Sequence, residues 1–150
     1  EIRRGRGTYV HENPGFIAHS WGLMVDEDET AFTLSVLELR QIIEPALAML
    51  AADRATQEEI GRIAQAAEAA EKDVSDGRSF AGNDLAFHLA VADASHNTVA
   101  SSILRQLYER GVSAAVSAAA DPLPGKMIAA QKEILRGIRD RDPAAARLGM

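Results

Sequence analysis

From Thr33 onward, apolar side chains recur every three or four positions, and no pair of period-two runs is visible after residue 10. That rhythm puts apolar groups on one face of a helix and offers nothing to a sheet. The breaks are as informative as the runs. Thr56-Gln-Glu-Glu59 has the form of a capping box, with Thr56 as N-cap and Glu59 reaching back to it. Ser75-Asp76-Gly77, His96-Asn97, Pro122 with Pro124-Gly125, and Asp142-Pro143 punctuate the rest.

Between these marks the sequence predicts a first helix from Thr33, where Leu34, Leu37, Gln41, Pro45 and Leu47 to Leu50 surround an apolar stripe that includes Ile42, Ile43 and Ala46. Pro45 sits inside it, where a missing N–H favours a kink. A second helix carries Ile60, Ile63, Ala67, Ala70 and Val74. A third runs from Phe80 to Ala94, with Leu85, Leu89 and Ala92 inward. A fourth is expected from Thr98 to Ala120, through Ile103, Leu104, Leu107 and Val116. A fifth carries Ile128, Ile134, Leu135 and Ile138, and Asp142-Pro143 opens a sixth as N-cap and N1. The many alanines permit close helix contacts, so the expected fold is all-α, an antiparallel bundle of six to seven helices. The last helix has barely begun at Met150, and the sequence is expected to continue beyond it.

Residues 1–10 read differently: Gly5 and Gly7 alternate with arginines, and Thr8-Tyr9-Val10 favours a short strand or hairpin arm. Residues 11–32 read as a linker, with a turn at Asn13-Pro14-Gly15. The charge is divided in the same way. Sixteen lysines and arginines face 22 acids in the whole chain, and outside the first ten residues 13 basic side chains face 21 acidic ones. Such a body repels nucleic acid, so any DNA contact falls to Arg3, Arg4 and Arg6 or to sequence upstream. The absence of cysteine excludes a disulfide scaffold, a zinc ribbon and a thiol nucleophile. No apolar run approaches the roughly 20 residues that span a bilayer. No signal peptide opens the chain, and the cytoplasm is the expected location.

Three groups could carry chemistry. Asp84 and His88 stand four apart, so carboxylate and imidazole share a helix face, able to hold a metal ion or an anion, or simply to pair with each other. Arg40 and Glu44 have the same spacing, and Arg40 offers either a planar fork to a ligand carboxylate or an ordinary intrahelical ion pair. Asn97 most simply caps the helix that follows it. No glycine-rich phosphate cradle precedes a helix, and no serine has a nearby histidine base in the sequence.

Together these residues resemble the FadR-type C-terminal (FCD) domain of GntR-family transcription regulators. Arg4-Gly5-Arg6-Gly7-Thr8-Tyr9-Val10 resembles the wing that ends the family's winged helix-turn-helix. Leu37 to Glu44 resembles its E-x-R-x-x-[IL]-E segment, Asp84-x-x-Phe87-His88 followed by Asn97 its D-x-x-F-H … N signature, and Ile134-Leu135 to Met150 its closing pattern. The resemblance implies residues 1–10 as the end of the wing, 11–32 as linker and 33–150 as an effector-binding and dimerisation domain. It also implies a divalent metal such as zinc at the bundle centre, held by an aspartate and three histidines. Asp84 and His88 match the first two positions, Gln131 stands where the third histidine belongs, and the fourth would lie past Met150. Glutamine is a poor zinc ligand.

Without metal, the resemblance leaves a small carboxylate as effector, anchored by Arg40 among Asp84, His88, Gln131 and Asn97. It further implies a homodimer, operator DNA bound through a domain ahead of Glu1, and no membrane partner or enzymatic activity. The competing readings are a small metal-dependent helical enzyme using Asp84 and His88, and a dimerisation module with no ligand.

Overall fold

The computed structural model describes residues 29–108 and 124–150. The wing residues, with Arg3, Arg4 and Arg6, most of the 11–32 linker, and the expected continuation of the fourth helix to Ala120 lie outside the described residues. The chain divides into two units, Glu1–Phe32 and Thr33–Met150, and the packing below is that of the second. Among the described residues there are six helices and no strand: α1 (Glu29–Arg54), α2 (Gln57–Ser75), α3 (Ala81–Ala94), α4 (Thr98–Leu107), α5 (Pro124–Arg139) and α6 (Pro143–Gly149).

The local signals act as the sequence predicts. Thr56 Oγ1 accepts from the Glu59 amide at 3.2 Å, and Glu59 Oε2 accepts from the Thr56 amide at 2.7 Å, so two orphan donors of α2 are satisfied together. Asn97 Oδ1 accepts from the Ala100 amide at 3.2 Å at the start of α4. Asp142 Oδ1 does the same for Ala145 at 3.0 Å, with Pro143 in the first turn of α6. Gly77 closes α2 at φ 67°, a left-handed position that glycine takes without steric cost.

The main core joins Ala48, Ala51, Ala52 and Ala55 of the α1 end to Ile60, Ile63, Ala64 and Ala67 of α2. Phe87, Val91 and Ala94 of α3, Ile134, Leu135 and Ile138 of α5, and Ala146 of α6 complete it. Small side chains let the helices approach closely. The closest case is Gly137 in α5, where an added Cβ would stand 2.3 Å from the Ala146 amide nitrogen of α6. A second cluster, Leu47, Ala92, Leu104 and Tyr108, ties α1 and α3 to α4 and the residue after it.

Arginines close the helix ends. Arg141, itself at φ 58°, donates from Nη1 to the Ala52 carbonyl at 3.0 Å and from Nη2 to the Ala55 carbonyl at 2.6 Å. Arg54 Nη1 donates to the Ser95 carbonyl at 3.0 Å. Carbonyls at the end of α1 and just past α3 thereby gain charged partners.

Three expectations need correction. α1 begins at Glu29 and runs on through Pro45, so its first turn lies inside the stretch read as linker. Ile42 and Ala46, assigned to the apolar stripe, are exposed, Ile42 at 71%, and so is Leu34 beside it. The alanines at 48, 51 and 52 take the inward positions instead, packed in the main core. In α3 the innermost residues are Phe87 and Val91, while Leu85 and Leu89 are only partly buried.

Candidate functional site

A cavity of about 290 Å³ lies between α1, α3 and α5, with the end of α6 contributing Gly149 and Met150. Leu37, Met127, Ala130 and Ile134 give it apolar walls, and Arg40, Gln41, Glu44, Asp84, His88 and Gln131 supply its polar groups. Helical spacing explains the convergence: Leu37, Arg40 and Glu44 recur on one face of α1, Asp84 and His88 on one face of α3, and Met127, Gln131 and Ile134 on one face of α5.

Glu44 is the hub, and the sequence showed only one of its partners. Its carboxylate accepts from Arg40 Nε at 2.6 Å and Nη2 at 3.4 Å, closing the predicted intrahelical pair. It also accepts from the Tyr108 hydroxyl at 3.0 Å and lies 2.9 Å from His88 Nδ1. Arg40 stacks over the Tyr108 ring at 4.9 Å, a cation–π contact. The partners lie 44 and 64 positions away in the chain. The available signal was a carboxylate three residues before Leu47 on an otherwise buried face.

The electrostatics follow from this packing. Burial disfavours the charged form of Glu44, but His88 and Arg40 outweigh it and hold its pKa down to about 2. Burial likewise opposes charge on His88, yet Glu44 and Asp84 outweigh that and raise its pKa to about 9. Tyr108 is pushed up by burial and by the Glu44 carboxylate, so it stays a hydrogen-bond donor. Arg40 is raised by Glu44 against the effect of its own burial.

Asp84 and His88 do meet, with His88 Nε2 at 3.5 Å from Asp84 Oδ1. Gln131 joins them by donating from Nε2 to the same Asp84 oxygen at 2.8 Å. Arg40, Asp84, His88 and Gln131 therefore share one cavity. Asn97 is not among the lining residues, and its side-chain oxygen caps α4 instead.

These residues do not fit a divalent ion. His88 has a carboxylate facing each ring nitrogen, and Asp84 already accepts from an amide. A metal requires a deprotonated ring nitrogen, and the two facing carboxylates favour the protonated ring. Among the described residues, no group of three or more His, Cys, Asp or Glu side chains is placed to hold a metal.

With this geometry in place, comparison with known proteins becomes informative. The family model for the FCD domain matches residues 35–150. The chain belongs to the FCD family. Among relatives, it is 37% identical over 113 residues to the Uxu operon transcriptional regulator of Escherichia coli (strain K12), covering 73% of this chain and 43% of that protein. It is 31% identical over 110 residues to the HTH-type transcriptional regulator LutR of Bacillus subtilis (strain 168), covering 71% and 49%. A solved structure titled Streptococcus agalactiae GntR superposes with a TM-score of 0.74 at 27% identity, covering 99% of this chain and 68% of that one.

The FCD domain here is thus similar to those of transcription regulators, and the enzyme alternative is set aside. The chain spans about half the length, or less, of these curated relatives. Among the described residues, no helix is long and apolar enough to cross a membrane.

Proposed function

We propose that this FCD domain senses a small organic acid in the cavity at Arg40 and passes that occupancy to operator binding. The carrying observation is the state of Arg40. Glu44 engages the Nε–Nη2 side of its guanidinium and leaves the Nη1 edge, on a residue that lines the cavity. A guanidinium fork suits a planar carboxylate, and the surrounding apolar walls strengthen such a pair by excluding water. Glu44 and Tyr108 hold Arg40 in place before any ligand arrives, which lowers the ordering cost of binding.

Regulation requires the acid to bind two arrangements of the protein with different affinity. The reading gives DNA binding to a winged helix-turn-helix ahead of the linker, with Arg3, Arg4 and Arg6 at the end of its wing and a cytoplasmic setting. It makes the working form a homodimer. Leu39 and Ile42 of α1 and Val99 and Ile103 of α4 are exposed, and these two helices are already neighbours through Leu47 and Leu104, so one apolar surface can serve a second copy.

The test is calorimetric titration of small carboxylates into the wild-type chain and an Arg40→Lys variant. Lysine keeps the charge on Glu44 but loses the fork. The expected result is binding by wild type and at least about a tenfold weaker Kd in the variant. Equal affinity would overturn the reading.

A further inference from the structure

We infer that Tyr108 is a relay: it positions Arg40 from outside the cavity, and an acid bound at Arg40 in return holds the end of α4 in place. The inference rests on the acid-sensing reading above and adds to it the element that responds. Tyr108 is 6% exposed and does not line the cavity. It touches two side chains that do. Its ring centre lies 4.9 Å from the Arg40 guanidinium carbon, and its hydroxyl donates at 3.0 Å to Glu44 Oε1. That oxygen also accepts from Arg40 Nε. The ring fixes the plane of the guanidinium, and the shared carboxylate oxygen fixes its direction.

The same tyrosine belongs to α4. Its backbone N–H donates to the Leu104 and Arg105 carbonyls, so it continues the last turn of the helix. Its side chain packs with Leu104 against Leu47 of α1 and Ala92 of α3. The start of α4 is held separately, by the Asn97 cap and by Ser101 donating to Asp93 of α3. The end of α4 therefore has two arrangements, with the Tyr108 ring docked on Arg40 or released from it. Docking holds Arg40 ready for an acid and so raises the affinity. By linkage the acid favours docking by the same factor, with no contact between tyrosine and ligand. Val99 and Ile103 are exposed on this helix. Occupancy of the cavity thus steadies the element that offers them to a second copy.

The experiment pairs calorimetry with hydrogen exchange read by mass spectrometry on the whole chain, with acetate, lactate, succinate and gluconate as probes. In wild type, saturation with a probe that binds should slow exchange over residues 103–108 at least about fivefold. The start of α2, held by its own capping box, should not change. Tyr108→Leu, apolar but without ring or hydroxyl, should bind the same probe more weakly by a factor close to that slowing, and its α4 peptides should no longer respond. Tyr108→Phe keeps the ring over Arg40 and should lose less on both readouts. A tyrosine with a purely structural role would lower stability without matching the two factors. The wild-type exchange stands by itself if a variant folds poorly. Binding without slower exchange over 103–108, an equal slowing at the start of α2, an unchanged affinity in Tyr108→Leu, or a slowing that survives in it would each overturn this inference alone. If no probe binds, the acid-sensing reading falls and takes this one with it.

Discussion

Replacing Glu44 by glutamine keeps the shape of the side chain and its acceptor for Tyr108, and removes one buried negative charge. The Glu44 side chain is 6% exposed, and Arg40 and His88 beside it are 13% and 14% exposed. Removing one partner of such a group leaves uncompensated buried charge, at a cost of about 3–5 kcal/mol. The cost should depend on pH, and the sign follows from His88. Its pKa is raised from 6.5 to about 9 in the fold. The stabilisation from that shift is fully present below pH 6.5 and is lost as pH rises through about 9. At about 1.4 kcal/mol per unit, the shift is worth about 3 kcal/mol. Glu44 is the foremost of the groups that raise it. The stability gap between wild type and Glu44→Gln should therefore be widest near pH 6 and narrower by about 2–3 kcal/mol near pH 9. Urea unfolding followed by circular dichroism across that range measures the gap directly. Groups with no contact to Glu44 are common to both proteins and cancel in the difference. A gap that stays constant with pH would refute the claim that His88 carries its charge in the fold because of Glu44.

Two glycines in helix interiors should respond oppositely to alanine. Gly61→Ala meets nothing within 4 Å and should gain about 0.5–1 kcal/mol, whereas Gly137→Ala drives a Cβ into the α6 backbone and should lose about 1–3 kcal/mol net; thermal unfolding separates the two. Asn97→Ala should cost about 1 kcal/mol from the lost cap and leave the affinity for carboxylates unchanged, since Asn97 does not line the cavity; a large change in titration calorimetry would restore it to the effector set. Ile42→Lys, at a position 71% exposed, should leave the melting of a monomer unaltered but shift sedimentation toward monomer if α1 carries the dimer contact; an unchanged dimer would move the interface elsewhere.

What the sequence disclosed was local. Thr56 with Glu59, Asn97 with Ala100, and Asp142 with Ala145 each act within three residues, so their roles could be read in order along the chain. The inward face of α1 was harder, because residue size is a poor guide where helices are close: Ala48, Ala51 and Ala52 are buried while Ile42 is exposed. Phe87 was noted only as a neighbour of the Asp84–His88 pair, yet it is among the largest fully buried side chains. At the site, both i, i+4 pairs were visible as pairs, but nothing local says that they share Glu44. That link joins α1 to α3 and to Tyr108 across the fold. Nor does spacing reveal that the Gln131 amide points its nitrogen at Asp84 and strands its oxygen.

Pro45 divides α1 into two mechanically unequal halves. Beyond it, Ala48, Ala51 and Ala52 are locked in the core, and Arg141 grips the carbonyls of Ala52 and Ala55. Before it lie Leu37, Arg40 and Glu44, the side chains that face the cavity. Proline cannot donate to the Gln41 carbonyl, so the rod lacks one rung where its anchored half meets its ligand-facing half. A helix fixed at one end and softened at its middle behaves as a hinged lever, and a small push at Arg40 grows with distance from the joint. From Glu44 back to Thr33 the arm is about 16 Å long, at 1.5 Å per residue, so a tilt of about five degrees at Pro45 would carry its far end by more than an ångström.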